Sequence, residues 1–85
     1  MPQQYRLIPT KTFLKNLEKL DKQTKKRVSE ALQELKDNPY RGKKLTNKEF
    51  GIWRFRVGDY RIRYDIEKDS VLLYLVQHRK DIYKD

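Results

Sequence analysis

Four arginines lie at positions that a β-hairpin would bring together on one surface. Side chains alternate between the two faces of a strand, so Arg54 and Arg56 share a face of one strand. By the same rule, Arg61 and Arg63 share a face of the next strand. A two-residue turn at Gly58-Asp59 sets the register between the strands. That register predicts two directly opposed pairs, Arg56 with Arg61 and Arg54 with Arg63.

The side of the hairpin that carries these four residues, here called the arginine face, is unfavourable for folding. Like charges opposed across two strands destabilise a sheet by up to roughly 0.2–1 kcal/mol per pair, and arginine cannot lose its charge to relieve the repulsion. Guanidinium forks match the oxygens of a phosphate, so we interpret the arginine face as an anion site. The alternative is a solvated surface on which exposed arginines splay apart and are screened by salt.

The end of the chain adds further candidate groups to this face. His78, Arg79 and Tyr83 follow the last predicted strand, which runs beside Arg61. Tyr74 on that strand is placed beside Arg63, either as a platform for base stacking or as one apolar side chain of a central strand. Each also has a plainer interpretation, since a terminal tyrosine can pack its ring on the domain and a lone histidine can be an incidental surface residue.

An arginine cluster with a phenol and an imidazole suits RNA cleavage, because the attacking 2′-hydroxyl already belongs to the substrate. The protein needs only to align that hydroxyl with the phosphorus, stabilise the added negative charge and move protons. Arginines can stabilise the charge, whereas proton transfer requires a group that titrates. The candidates are Tyr83, His78, Lys43, Lys44 and Lys48. DNA lacks the 2′-hydroxyl and is excluded as a substrate for this route.

The composition narrows the class of protein. The chain has 85 residues and a formal net charge of +9, which favours a polyanionic partner. Cysteine is absent and histidine occurs once, which argues against disulfides and a zinc enzyme; we predict no metal and no cofactor. No segment has the roughly 18–20 apolar residues of a membrane span, and no secretory signal is evident. We expect one cytoplasmic domain, residues 1–85, without a membrane partner.

The elements that must position these groups follow from caps, turns and apolar spacing. We predict a strand over 4–9, a helix capped by Thr10, and a second helix that begins after Asp21 and ends at Asn38-Pro39. A basic loop covers 39–50, and strands cover 52–57, 60–66 and 71–77. The predicted fold class is α+β: a small, mainly antiparallel twisted sheet in the order β-α-α-β-β-β, with a helical hairpin packed on one face.

The same register predicts the core. Opposite the arginines, it pairs apolar residues across the hairpin: Val57 with Tyr60, Phe55 with Ile62 and Trp53 with Tyr64. On the third strand, alternation places Val71, Leu73 and Leu75 on the core side and leaves Leu72, Tyr74 and Val76 on the arginine side. The helices contribute two apolar stripes, Phe13, Leu14, Leu17 and Leu20 in the first, and Val28, Ala31, Leu32 and Leu35 in the second.

The whole chain resembles the RelE branch of the RelE/ParE toxin superfamily. The resemblance rests on the element order, on the run Trp53-Arg-Phe-Arg-Val-Gly-Asp-Tyr-Arg-Ile-Arg-Tyr64, and on the ending His78-Arg-Lys-Asp-Ile-Tyr83. It implies a toxin of a type II toxin–antitoxin pair. RelE-type members enter the ribosomal A site and cleave mRNA by 2′-hydroxyl attack, so the implied activity is a metal-independent endoribonuclease that inhibits translation.

The resemblance also implies roles for individual residues. Arg54 and Arg56 match the basic pair of the motif, Arg61 a transition-state stabiliser, Arg79 the C-terminal arginine, and Tyr83 a tyrosine that stacks on a base or transfers a proton. Founding members have lysines at the first two positions and a longer spacing to the tyrosine, which makes His78 the expected substitute for proton transfer. Arg63, Lys43, Lys44, Lys48 and Tyr74 are the expected contacts to RNA and ribosome.

The implied partners are the ribosome, mRNA and an acidic RelB-like antitoxin that wraps the domain, in an assembly as large as a heterotetramer. Two alternatives remain at this point. A ParE-like toxin of the same fold inhibits DNA gyrase by protein contact, and a non-catalytic module binds RNA without cutting it.

Overall fold

Five strands and two helices make up the architecture of the computed structural model, which describes residues 4–46, 49 and 51–80. The elements are β1 (Arg6–Pro9), α1 (Lys11–Glu18), α2 (Lys22–Asp37), β2 (Lys43–Lys44), β3 (Trp53–Val57), β4 (Tyr60–Glu67) and β5 (Ser70–His78). The predicted α+β class and the order of the main elements are confirmed. Among the described residues, no helix is long and apolar enough to cross a membrane.

The strands form one sheet in the order β1-β5-β4-β3-β2. Only β1 runs parallel to its neighbour, β5, and the other neighbouring pairs are antiparallel. The chain between β1 and β5 includes both helices, which cover one side of the sheet. The hairpin of β3 and β4 has the predicted turn, with Gly58 at φ 61°, and the predicted register along its whole length.

Side-chain caps fix the starts of both helices. The Thr10 hydroxyl accepts a hydrogen bond from the Phe13 backbone N–H at 3.2 Å and donates one to the Tyr74 carbonyl oxygen at 2.9 Å. It therefore caps α1 and ties it to β5. The Asp21 carboxylate accepts from the Thr24 N–H at 2.7 Å. Hydrogen bonding to the Thr24 side chain lowers the pKa of Asp21 most, and the bond to its backbone lowers it further. Both predicted caps are confirmed.

The core lies between the helical hairpin and the centre of the sheet. Its buried members are Phe13, Val28, Ala31 and Leu35 from the helices and Ile62, Tyr64, Val71, Leu73 and Val76 from β4 and β5. The predicted apolar pairs of the β3–β4 hairpin pack on the same side. Leu14, by contrast, is 47% exposed and lines a surface depression with residues of both helices, so its assignment to the core stripe is wrong.

A β-bulge in β5 overturns part of the predicted alternation. Tyr64 pairs with Leu73 but Arg63 pairs with Leu75, which leaves Tyr74 as the extra residue. Beyond the bulge, every side chain of β5 lies on the face opposite to the one that uninterrupted alternation predicts. Val76, not Leu75, therefore lies opposite Ile62 and is buried in the core, and Leu75 shares the face of Arg63.

The segment predicted as a loop over 39–50 is partly regular. A 3-10 turn covers Pro39–Arg41, and β2 pairs with β3 at the edge of the sheet. The segment is held by the buried Tyr64, whose hydroxyl donates to the Pro39 carbonyl oxygen at 2.6 Å. The chain passes so close to this phenol that a Cβ on Gly42 would collide with the Tyr64 hydroxyl. The sequence pattern missed this structure because two residues of edge strand carry no periodicity.

Candidate nucleic-acid interface

The sheet brings the arginines together in two rows. One row crosses the sheet as Lys43, Arg54, Arg63 and Leu75, and the other as Arg56, Arg61 and Gln77. The predicted opposed pairs, Arg54 with Arg63 and Arg56 with Arg61, are confirmed. Lys43 extends the arginine face by one strand at the edge. The surface is thus a continuous basic area on the side of the sheet away from the helices.

The electrostatic crowding on this face is visible in Arg54. Partial burial lowers the pKa of the Arg54 guanidinium most, and the positive charges of Arg61, Arg56 and Arg63 lower it further. Within the described part of the chain, the recorded salt bridge is the one from Arg41 to Glu34, and no carboxylate pairs with Arg54, Arg56 or Arg61. Among the described residues, these three side chains therefore concentrate positive charge without a carboxylate counter-ion. Such a surface favours a bound anion.

Arg63 is engaged differently from the other three arginines. Its Nε donates to the Gly51 carbonyl oxygen at 2.5 Å. The Asp65 carboxylate accepts from the backbone N–H groups of Gly51 at 3.0 Å and Ile52 at 2.8 Å. Gly51 has φ 60°, a left-handed conformation that suits glycine. We call this arrangement of Arg63, Asp65 and the 51–52 backbone the Asp65 clamp, and it fixes the chain as it enters β3.

Tyr74 lies beside the Asp65 clamp. A Cβ on Gly51 would be 3.3 Å from the Tyr74 ring and 3.6 Å from Arg63, so the tyrosine and the arginine flank the same glycine. Burial makes the largest contribution to raising the pKa of Tyr74, and the negative charge of Asp65 raises it further. The predicted neighbourhood of Tyr74 and Arg63 is therefore confirmed. Base stacking by Tyr74 stays a prediction.

His78 does not lie on the arginine face. It pairs with Tyr60, and its ring contacts the Tyr60 ring edge-on at a centroid distance of 5.1 Å on the helix side of the sheet. The expectation that the imidazole joins the arginine patch is wrong. The cause is the bulge at Tyr74, which moves every later residue of β5 to the opposite face.

Of the remaining candidates, the structure describes Arg79 and Lys44. Arg79 is exposed, and its backbone N–H donates to the Asp59 carbonyl oxygen at 2.8 Å, next to the β3–β4 turn. Lys44 pairs with Trp53 and so belongs to the face opposite Lys43. Lys48 and Tyr83 lie outside the described residues.

Two parts of this surface escaped the sequence analysis. Arg41 lines a shallow depression with Gly42, Lys43, Arg54, Phe55 and Arg56, so it belongs to the rim of the basic area. Its position depends on the 3-10 turn, which no sequence motif predicted. The Asp65 clamp was missed as well, although an acidic residue among four strand arginines and a glycine directly before the strand were the available signals.

Comparisons with known proteins agree with this fold. The model of the ParE toxin of the type II toxin–antitoxin system parDE matches residues 7–83. The curated toxin RelE3 of Methanocaldococcus jannaschii is 33% identical over 78 residues, which cover 86% of this chain and 89% of the relative.

Solved structures give the same result. The RelB–RelE antitoxin–toxin complex from Methanococcus jannaschii matches with a TM-score of 0.74 and 30% identity, covering 89% of this chain and 94% of that chain. The toxin–antitoxin complex RelBE2 from Mycobacterium tuberculosis matches with a TM-score of 0.79 and 30% identity, covering 93% and 95%.

The family model and the curated relative show the class, a toxin of a type II toxin–antitoxin system. Within that class, the chain belongs to the RelE/ParE toxin superfamily and to its RelE branch.

Proposed function

We propose that this toxin is a ribosome-dependent endoribonuclease that cleaves mRNA in the ribosomal A site and so stops translation. The observation that supports this proposal most strongly is the arginine face. Within the described residues, Arg54, Arg56 and Arg61 are held together without a carboxylate partner, at a cost to folding. A phosphate of a bound RNA strand supplies the missing negative charge.

The reaction follows from the chemistry of RNA. The 2′-oxygen attacks the adjacent phosphorus, the bond from phosphorus to the 5′-oxygen breaks, and the products are a 2′,3′-cyclic phosphate and a free 5′-hydroxyl. Charge builds up on the non-bridging oxygens as the new bond forms, and Arg61 with Arg56 stabilises it. Arg54 holds the neighbouring phosphate, and Arg79 adds charge beside the turn.

Proton transfer requires a group other than these arginines, which stay protonated. One proton must leave the 2′-hydroxyl and another must reach the 5′-oxygen. We assign Tyr83 as the candidate from the chain, either as a proton donor or as a stacking platform for a base. Lys43 is the candidate lysine on the arginine face, Lys48 is a further candidate from the sequence, and the ribosome completes the site around the message.

An acidic RelB-like antitoxin is the proposed regulatory partner. The chain carries a formal net charge of +9, and two of its structural neighbours are toxins solved together with their antitoxins. An acidic chain lying across the arginine face would neutralise it and block mRNA. The proposal places the toxin in the cytoplasm, where ribosomes are, and allows a heterotetramer of two toxins and two antitoxins.

The test is Arg61→Ala on ribosomes programmed with a defined message, with cleavage mapped by primer extension. We expect the single-turnover rate to fall by about 10²–10³, the range found when one donor to a developing oxyanion is lost. Arg6→Ala is the matched control, because Arg6 is an exposed arginine of β1 at the far edge of the sheet. Full cleavage by Arg61→Ala would remove the proposed role of the arginine face.

Gyrase inhibition is the second candidate, because the matching family model is that of a ParE toxin. A supercoiling assay with purified gyrase, run beside the ribosome assay, separates the two activities. Inhibition of supercoiling without mRNA cleavage would replace the nuclease proposal. Binding of RNA without mRNA cleavage and without gyrase inhibition would identify a non-catalytic RNA-binding module.

A further inference from the structure

His78 is held by contacts that fix the start of the C-terminal segment. Its Nδ1 accepts a hydrogen bond from the Lys80 backbone N–H at 3.1 Å, and its ring packs edge-on against Tyr60. Between these two contacts, the Arg79 N–H donates to the Asp59 carbonyl oxygen at 2.8 Å. His78 and Arg79 are thereby tied to the β3–β4 hairpin, which carries the arginines, and Lys80 is tied to His78.

In the hydrogen bond from the Lys80 backbone N–H, Nδ1 of His78 is the acceptor. A ring nitrogen that accepts a hydrogen bond carries no proton, so the neutral ring has its proton on Nε2. Protonation of Nδ1 would turn this acceptor into a donor and break the bond. The arrangement therefore uses His78 as a fixed acceptor.

The surroundings of His78 are those of an anchor and not of a phosphate site. It lines a surface depression with Asn16, Lys19 and Leu20 of α1, together with Tyr60 and Gln77. The Asn16 side-chain oxygen accepts from the Val76 N–H at 3.2 Å, which fixes α1 against β5 just before His78. The sheet itself lies between this depression and the arginine face.

The bulge at Tyr74 places His78 on the helix side of the sheet, away from the arginine face. Without it, alternation would place His78 on the arginine face and Arg79 on the helix face. With it, Gln77 shares the face of Arg61, and His78 shares the face of Tyr60. Arg79 follows the end of β5 in a 3-10 conformation, and its backbone N–H holds it beside the β3–β4 turn.

We propose that His78 is a positioning residue that holds Arg79 and Lys80 against the β3–β4 hairpin, and that it transfers no proton. The proposal rests on the proposed nuclease function, which it deepens. It removes the imidazole from the proton-transfer step and makes the placement of Arg79 and Lys80 depend on an acceptor at the Nδ1 position.

Two amide variants separate positioning from proton transfer. In His78→Asn, the side-chain amide occupies the place of Nδ1 and can accept from Lys80, whereas in His78→Gln it occupies the place of Nε2 and cannot. Neither amide titrates. We expect His78→Asn to keep the wild-type single-turnover cleavage rate and pH profile, and His78→Gln to lose about fivefold, the factor expected for one ordinary hydrogen bond.

The opposite pattern would overturn the proposal. If His78 transfers a proton, both variants lose about 10²–10⁴ in rate, and the pH profile changes in both. Equal, wild-type rates in His78→Asn, His78→Gln and His78→Ala would also overturn it, because the anchor would then have no effect on the reaction. Tyr60→Phe keeps the edge-on ring and should behave as wild type, whereas Tyr60→Leu should resemble His78→Gln.

A second readout does not depend on nuclease activity. Nitrogen-15 chemical shifts of the imidazole report which ring nitrogen is protonated, and hydrogen exchange reports the bond of the Lys80 amide. We expect the Nε2–H tautomer in the wild type, protection of Lys80 in the wild type and in His78→Asn, and faster exchange in His78→Gln. If the Lys80 amide exchanges no faster in His78→Gln than in the wild type, the proposed positioning role of His78 is wrong. Absence of mRNA cleavage by the wild type, with these signatures present, would instead overturn the proposed function.

Discussion

The two faces of the β3–β4 hairpin have the same strand register but opposite effects on stability. On the helix side, it pairs Phe55 with Ile62 in the core. On the other side, the same ladder pairs Arg56 with Arg61, which repel each other. The backbone pairing is common to both, so the difference lies in the side chains alone. The helix face stabilises the fold, and that stability permits a neighbouring face that opposes folding.

The sharpest test of this contrast compares two consecutive residues. Ile62 is fully buried on the helix face, and we expect Ile62→Ala to lower the free energy of unfolding by about 2–5 kcal/mol. The neighbouring Arg61→Ala should leave it unchanged or slightly higher. Urea denaturation measures both. Similar losses at the two positions would contradict the division between a stabilising and a destabilising face.

The core phenol gives the next largest effect, through pH. Burial raises the pKa of Tyr64 from 10.0 to about 12, so the folded state holds this proton more tightly than the unfolded state. Its contribution is complete below pH 10 and is lost as the pH rises to 12, by about 3 kcal/mol in total. The free energy of unfolding, measured between about pH 9 and 12, should show this decline.

Tyr64→Phe is the control for that decline. It should remove most of the alkaline slope, while Tyr74 retains a smaller part because burial raises its pKa too. At neutral pH the variant should lose about 1–3 kcal/mol, since the buried Pro39 carbonyl oxygen loses its donor. An unchanged slope in Tyr64→Phe would assign the effect to other groups.

The Asp65 clamp is a place where the arginine face itself contributes stability. Asp65→Asn keeps the size of the side chain but lets only one oxygen accept, so one of the N–H groups of Gly51 and Ile52 loses its partner. We expect a loss of about 1.5–3 kcal/mol, the range for a hydrogen bond to a charged group. Faster hydrogen exchange at these two amides checks the cause, and unchanged exchange would show that the clamp does not hold them.

The smallest effect is a gain in stability. Arg56 is exposed and opposes Arg61, so Arg56→Thr should raise the free energy of unfolding by up to roughly 0.2–1 kcal/mol at low salt. Salt screens the repulsion, and the gain should shrink in about 1 M NaCl. Glu67→Thr, at an exposed position of the same hairpin, is the control and should show no such gain.

Much of this molecule could be predicted from local signals. A glycine turn fixed which residues face each other, and Thr10 and Asp21 marked the helix starts. The bulge could not be predicted, because Leu72 to Val76 are all apolar or aromatic and their pattern has no phase to interrupt. That one extra residue caused two errors, the exchange of Leu75 with Val76 and the wrong face for His78.

The central claim is that the opposed arginines are retained at a cost to folding because they grip the RNA. A double-mutant cycle of Arg56→Thr and Arg61→Thr tests it, with unfolding free energy and ribosomal mRNA cleavage measured on the same four proteins. The account predicts that the single variants are at least as stable as the wild type, that the cycle reports repulsion between the two side chains, and that cleavage is lost. Variants that are destabilised, or that still cleave at the wild-type rate, would contradict it.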